Sequence, residues 1–74
     1  FGLRQQKELD LIPLTIQALE TEQGDLYRAM GDPDLYKNGK SEVVSKKERL
    51  EVVEKLLTES YTRWEEIEQL KNEL

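Results

Sequence analysis

Two stretches of the chain carry a seven-residue apolar repeat, and this restricts the fold more than any other feature. In the first, Leu9, Ile12, Ile16, Leu19, Gln23, Leu26 and Met30 follow one another in alternating steps of three and four. That spacing is a heptad, with Leu9, Ile16, Gln23 and Met30 at a and Ile12, Leu19 and Leu26 at d. In the second, Leu50, Val53, Leu57, Ser60, Trp64, Ile67, Lys71 and Leu74 step in the same way, and Val43 and Lys46 extend the row backward. Two amphipathic helices in one short chain predict a pair that buries its stripes against each other.

The intervening segment decides how they pair. Gly31 suits the residue after a helix, and Pro33 just beyond it cannot continue one. Asn38-Gly39 is a turn signal. Ser41 and Ser45 are both candidate caps for the second helix, and Ser41 is favoured because Val43 then falls on the seam. A linker this short forces antiparallel neighbours. The fold class read here is all-α: a two-helix antiparallel coiled-coil hairpin, kinked at Pro13, where a backbone hydrogen bond to Leu9 is lost. The boundaries are a helix over about 4–30, a tip loop over about 31–41 and a helix over about 42–73, in a single domain covering 1–74. Meshing the heptads sets Leu26 near Leu50, Leu19 near Leu57, Ile16 near Ser60, Ile12 near Trp64 and Leu9 near Ile67. Trp64 is read as core, packed on Ile12 and Pro13. Tyr27 and Tyr61 flank the seam, and Tyr36 packs with Leu35 over its end. On the outer face of the second helix, Glu42–Lys46, Glu51–Lys55 and Glu59–Arg63 are spaced to pair along the helix. In the first helix, Gly24 costs about 1 kcal/mol relative to alanine.

Composition then narrows function. The 74 residues include no cysteine and no histidine. Disulfides and the usual zinc ligand sets are excluded, as are nucleophile–histidine constellations. The phosphate-cradling Gly-x-x-x-x-Gly-Lys-Ser/Thr loop is absent. Asp32 and Asp34 flank a proline and read as a helix stop and turn, not a metal site. No apolar run approaches the roughly 20 residues that cross a bilayer. The first residue is Phe1 rather than methionine, which suggests a domain excised from a longer protein.

The net charge is −5, yet it is unevenly spread. Arg28, Lys37, Lys40, Lys46, Lys47 and Arg49 cluster around the tip against Asp32, Asp34, Glu42 and Glu48. A basic tip on an acidic stem makes these six cations the candidate nucleic-acid-binding set, led by Lys37, Lys40 and Lys47, with contacts to phosphates rather than bases. Lys46 also has a role covering the seam with its stem. Leu11 and Leu14 fall at outward positions either side of Pro13. Either the kink rotates them inward, or they form an interaction patch.

The ordered combination of Leu-Ile-Pro-Leu-Thr-Ile-Gln-Ala-Leu-Glu-Thr-Glu in the first helix, Asp32-Pro-Asp-Leu-Tyr36 at the tip and Arg63-Trp-Glu-Glu-Ile-Glu-Gln-Leu70 near the end resembles the C-terminal coiled-coil domain of ABC-F ATPases, most closely the Uup-like group. The opening Leu3-Arg-Gln-Gln-Lys-Glu-Leu9 is similar to the start of that domain. The resemblance spans nearly the whole chain. It implies a cytoplasmic parent with two tandem nucleotide-binding domains and no membrane domain, with ATP and magnesium bound there and no cofactor in this domain. It further implies DNA as a partner, or ribosomal RNA, since the wider class acts on ribosomes. The nucleotide-binding domains of the same parent chain are the other expected partner, and a monomer is expected over a swapped dimer. The chain departs from the pattern in its overall acidity, which counts against simple groove-filling on DNA. A protein-interaction or spacer coil that positions the ATPase domains is the alternative function.

Overall fold

The computed structural model describes every residue except Asn38 and Leu74, so the Asn38 half of the expected turn and the last d position lie outside the described residues. Three helices follow in order: α1 over Leu3–Met30, α2 over Pro33–Lys37 and α3 over Lys40–Asn72. The long pair α1 and α3 pack along their length, and α2 closes the tip against both. The result is a rod of 56 × 15 × 14 Å with a radius of gyration of 16.7 Å. A globular chain of this length would have a radius of about 11 Å. The all-α helical hairpin read from the heptads is therefore the observed architecture.

The core is the seam. Leu9, Ile12, Ile16, Leu19 and Leu26 from α1 meet Leu50, Val53, Leu57 and Ile67 from α3. Only Val53 and Ile67 are fully enclosed, at 0% exposure. Met30 and Trp64 pack against this cluster half-buried. A core one side chain thick leaves most of its members touching solvent at an edge.

Helix α1 runs unbroken through Pro13, so the chain does not break where a backbone donor is missing. Its N-terminus is closed by Gln5, whose side-chain Oε1 accepts the Gly2 N–H at 2.7 Å. At the other end Gly31 has φ −82° and donates to the carbonyls of Tyr27 and Arg28, so this glycine caps without the left-handed turn that favours it. The tip is not a loop as expected. Asp32 Oδ1 accepts the Asp34 N–H at 2.9 Å, and the Asp32 carbonyl accepts the Leu35 N–H. An aspartate cap followed by proline at the first helical position starts α2 rather than merely stopping α1. Leu35 is thereby buried over the seam's end. Tyr36 stays largely exposed but donates its hydroxyl to the Met30 carbonyl at 3.0 Å, satisfying one of the open acceptors at the end of α1.

Helix α3 begins one residue before the favoured Ser41. Gly39 precedes it with φ +109°, a backbone region that side-chain-bearing residues rarely adopt. Neither Ser41 nor Ser45 caps the helix through its side chain.

Two substitutions measure the seam. Leu57→Ala removes a central contact and is expected to lower unfolding free energy by about 2–4 kcal/mol. A Cβ at Gly24 meets nothing within 4 Å, so Gly24→Ala is expected to raise it by about 1 kcal/mol. Urea titrations of helicity check both signs.

Candidate nucleic-acid interface

The register of the rod is written on its flanks. On one flank Arg49 donates to both carboxylate oxygens of Glu22, at 2.5 and 2.8 Å. Arg63 does the same to Glu8, at 2.6 and 3.1 Å, and also reaches Glu66 at 3.1 Å. Two heptads back on α1, from Glu22 to Glu8, correspond to two heptads forward on α3, from Arg49 to Arg63. These are g positions on both helices, and g facing g is the signature of antiparallel pairing. On the opposite flank the e rows cross: Tyr27 donates to Glu54 and Tyr61 donates to Glu20, each at 3.0 Å. One heptad back on α1 again answers one heptad forward on α3. Both flanks agree with Leu26 opposite Leu50 and Leu9 opposite Ile67.

These bonds set the electrostatics. The arginine hydrogen bonds hold the Glu8 and Glu22 carboxyls below the ordinary 4.5 and raise the Arg49 and Arg63 guanidinium values. Donation to a carboxylate pushes the Tyr27 and Tyr61 hydroxyls above their usual 10.0. All of these groups are solvent-facing, so salt screens them. Arg63 therefore serves Glu8 and Glu66, not the Glu59 that helix spacing offers. Glu42–Lys46 and Glu51–Lys55 likewise form no ion pair among the described residues.

The flanks divide the six candidate cations. Arg49 is bound into the Glu22 fork, away from the tip. Arg28 pairs with Asp25 one turn earlier, with the two side chains 78% and 62% exposed, so this contact too is open to exchange. Lys37 lies 3.4 Å from Asp34, with both side chains 77% exposed, a contact easily exchanged for another anion. Lys46 is half-buried at a seam position, as its d register requires. Lys40 and Lys47 are exposed and make no ion pair among the described residues. They lie one heptad apart on α3, about 10 Å along the axis. Both continue the e row of Glu54 and Tyr61, but α1 ends at Met30 and offers them no partner across the seam. Lys37, Lys40 and Lys47 thus share the tip end of the rod with Arg28, whereas Arg49 is engaged across the seam by Glu22.

The apolar pair behaves differently from the kink account. Leu11 and Leu14 are 60% and 61% exposed, so nothing at Pro13 turns them inward. Leu3, about two turns before Leu11 on α1, is also exposed. Among the described residues there is no cluster of acidic side chains arranged for a metal, and no helix is long and apolar enough to cross a membrane.

A family model described as the ABC transporter C-terminal domain matches residues 2–69. The chain belongs to that family. No curated protein and no solved structure matches it. Membership makes this hairpin an accessory domain of an ABC protein. The match covers α1, α2 and nearly all of α3, so the family's domain is the hairpin itself.

The Glu8 and Glu22 forks give a pH test. Because these carboxyls are depressed in the folded chain, their contribution is present above the ordinary 4.5 and is lost as pH falls through the lower folded values. Wild type is expected to exceed a Glu8→Gln/Glu22→Gln double variant in stability at pH 7, with the difference closing below about pH 4.5 in thermal melts.

Proposed function

We propose that this domain is a non-catalytic arm of an ABC-F type ATPase of the Uup-like group, and that its tip holds nucleic acid by the phosphate backbone. The observation that carries the reading is the overhang of α3 beyond α1. Lys40 and Lys47 stand on a flank whose members Tyr27, Glu54, Glu20 and Tyr61 are satisfied across the seam, and Lys37 stands near them in a weak, exposed pair. Cations in this position neutralise phosphates and release counterions, contacts that carry no base identity. DNA and ribosomal RNA share that chemistry. Catalysis belongs to the parent's nucleotide-binding domains, where ATP and magnesium bind, because this chain has no histidine, no cysteine and no phosphate-cradling loop. The parent's place is the cytoplasm.

The exposure of Leu11 and Leu14 favours a second role for the same arm. On this reading the outer face of α1 docks on the parent's nucleotide-binding domains and fixes the arm's direction. The two roles use opposite ends and different faces of the rod, so they are compatible.

Binding of the chain to duplex DNA and to structured RNA, followed across a salt series, tests the first role. For duplex DNA each phosphate contact contributes a slope of about 0.9. A Lys37→Gln/Lys40→Gln/Lys47→Gln variant is expected to lose about 2–3 from that slope, while Arg49→Gln leaves it nearly unchanged. Equal slopes for wild type and the triple variant would remove the tip from any binding. For the second role, Leu11→Ser/Leu14→Ser is expected to leave stability within about 0.5 kcal/mol of wild type and to abolish association with the parent lacking this domain.

A further inference from the structure

At the end opposite the tip, α3 presents a groove of about 520 Å³ lined by Trp64, Glu65, Glu68, Gln69, Asn72 and Glu73. Trp64 is one of its walls and is only half-buried although it sits at a core position. The ring is fixed from two sides. Tyr61 stacks on it with centroids 6.4 Å apart and planes 25° from parallel, and Tyr61 is itself tied to Glu20 across the seam. The indole N–H donates to Glu68 at 3.3 Å. All six lining residues belong to α3 or its C-cap, and among the described residues Glu68 has no side-chain partner across the e row. After Tyr27–Glu54 and Glu20–Tyr61, the next position on α1 opposite Glu68 is Pro13, whose short ring carries no donor. Glu65, Glu68 and Glu73 form no ion pair among the described residues, and no lysine or arginine lines the groove.

We propose that this groove is a docking site for an arginine-bearing segment of a partner protein. An immobilised aromatic face beside uncompensated carboxylates matches a guanidinium in both respects: its plane stacks on the indole, and its N–H fork donates to the glutamates. An ammonium has the charge without the plane. The same carboxylates repel phosphate, so this end of the rod is closed to the nucleic acid proposed for the tip.

Trp64 is the single tryptophan of the chain, so its emission and its one indole N–H resonance report the site directly. Titrating the 74-residue chain in about 0.15 M salt with a short peptide of arginine and glycine is expected to change the emission saturably and to shift the indole resonance. The lysine counterpart is expected to bind several-fold more weakly. Glu65→Gln/Glu68→Gln is expected to weaken the arginine peptide at least fivefold. Glu48→Gln/Glu51→Gln, which removes the same charge near the tip, is expected to leave its affinity unchanged. No saturable change on the unaltered chain overturns the site. So does an equal loss in the two double variants, which would mean binding to net charge alone. Equal affinity for the lysine peptide overturns the guanidinium assignment.

Discussion

The whole molecule depends on one row of apolar side chains meshed between two antiparallel helices. There is no second layer behind it, and among the described residues no polar side chain is buried within it. A seam that thin supplies attraction but little direction, because leucine and isoleucine rows tolerate displacement by a heptad. Direction comes from the flanks. Glutamates occupy g on α1 and arginines occupy g on α3, while tyrosine and glutamate exchange places along the e rows. Sliding the helices by one heptad would set Glu22 beside Leu56 and Glu8 beside Leu70, leaving both forks empty. Exposed ion pairs stabilise little individually, yet such a slip forfeits both forks together.

The heptads make the helices, their antiparallel pairing and their register legible, because a period of seven fixes a face and a short connection fixes direction. The tip is harder to read for a local reason. Asp32-Pro33-Asp34 carries equal signs of an ending and a beginning: the proline that cannot continue α1 is well placed as the first residue of α2. Gly39 reads as half of a turn, whereas its positive φ makes it the entrance to α3. The Glu8–Arg63 and Glu22–Arg49 forks are also open to reading, since the two spacings match across the antiparallel register. Pairing along the helix points to Glu59 instead, where contact is sequence-local but weaker than a two-pronged fork. The repeat places Trp64 on the seam correctly and overstates its burial. A ring too wide for a one-residue core must leave part of its face outside.

The tip cations illustrate how composition misleads when it is summed along sequence. Six basic residues run from Arg28 to Arg49, yet two of them serve the hairpin: Arg49 as an ion pair across the seam and Lys46 as a half-buried seam residue. What remains is determined by where α1 stops. Partners on α1 run out at Met30, and beyond that point Lys37, Lys40 and Lys47 are exposed. The positive charge exposed at the tip is therefore a consequence of unequal helix lengths as much as of basic residues.

The overall acidity of the chain bears less on the tip than its net charge suggests. Charges in physiological salt are screened over about 8 Å, and the rod is 56 Å long. The carboxylates around Trp64 and the lysines around Gly39 are several screening lengths apart. Each end therefore presents its own field, and a ligand at one end is nearly blind to the other. A compact domain with the same composition would average these charges into a single repulsive surface. Drawing the chain into a thin rod separates them, so that one short sequence carries a basic end and an acidic end without a second domain.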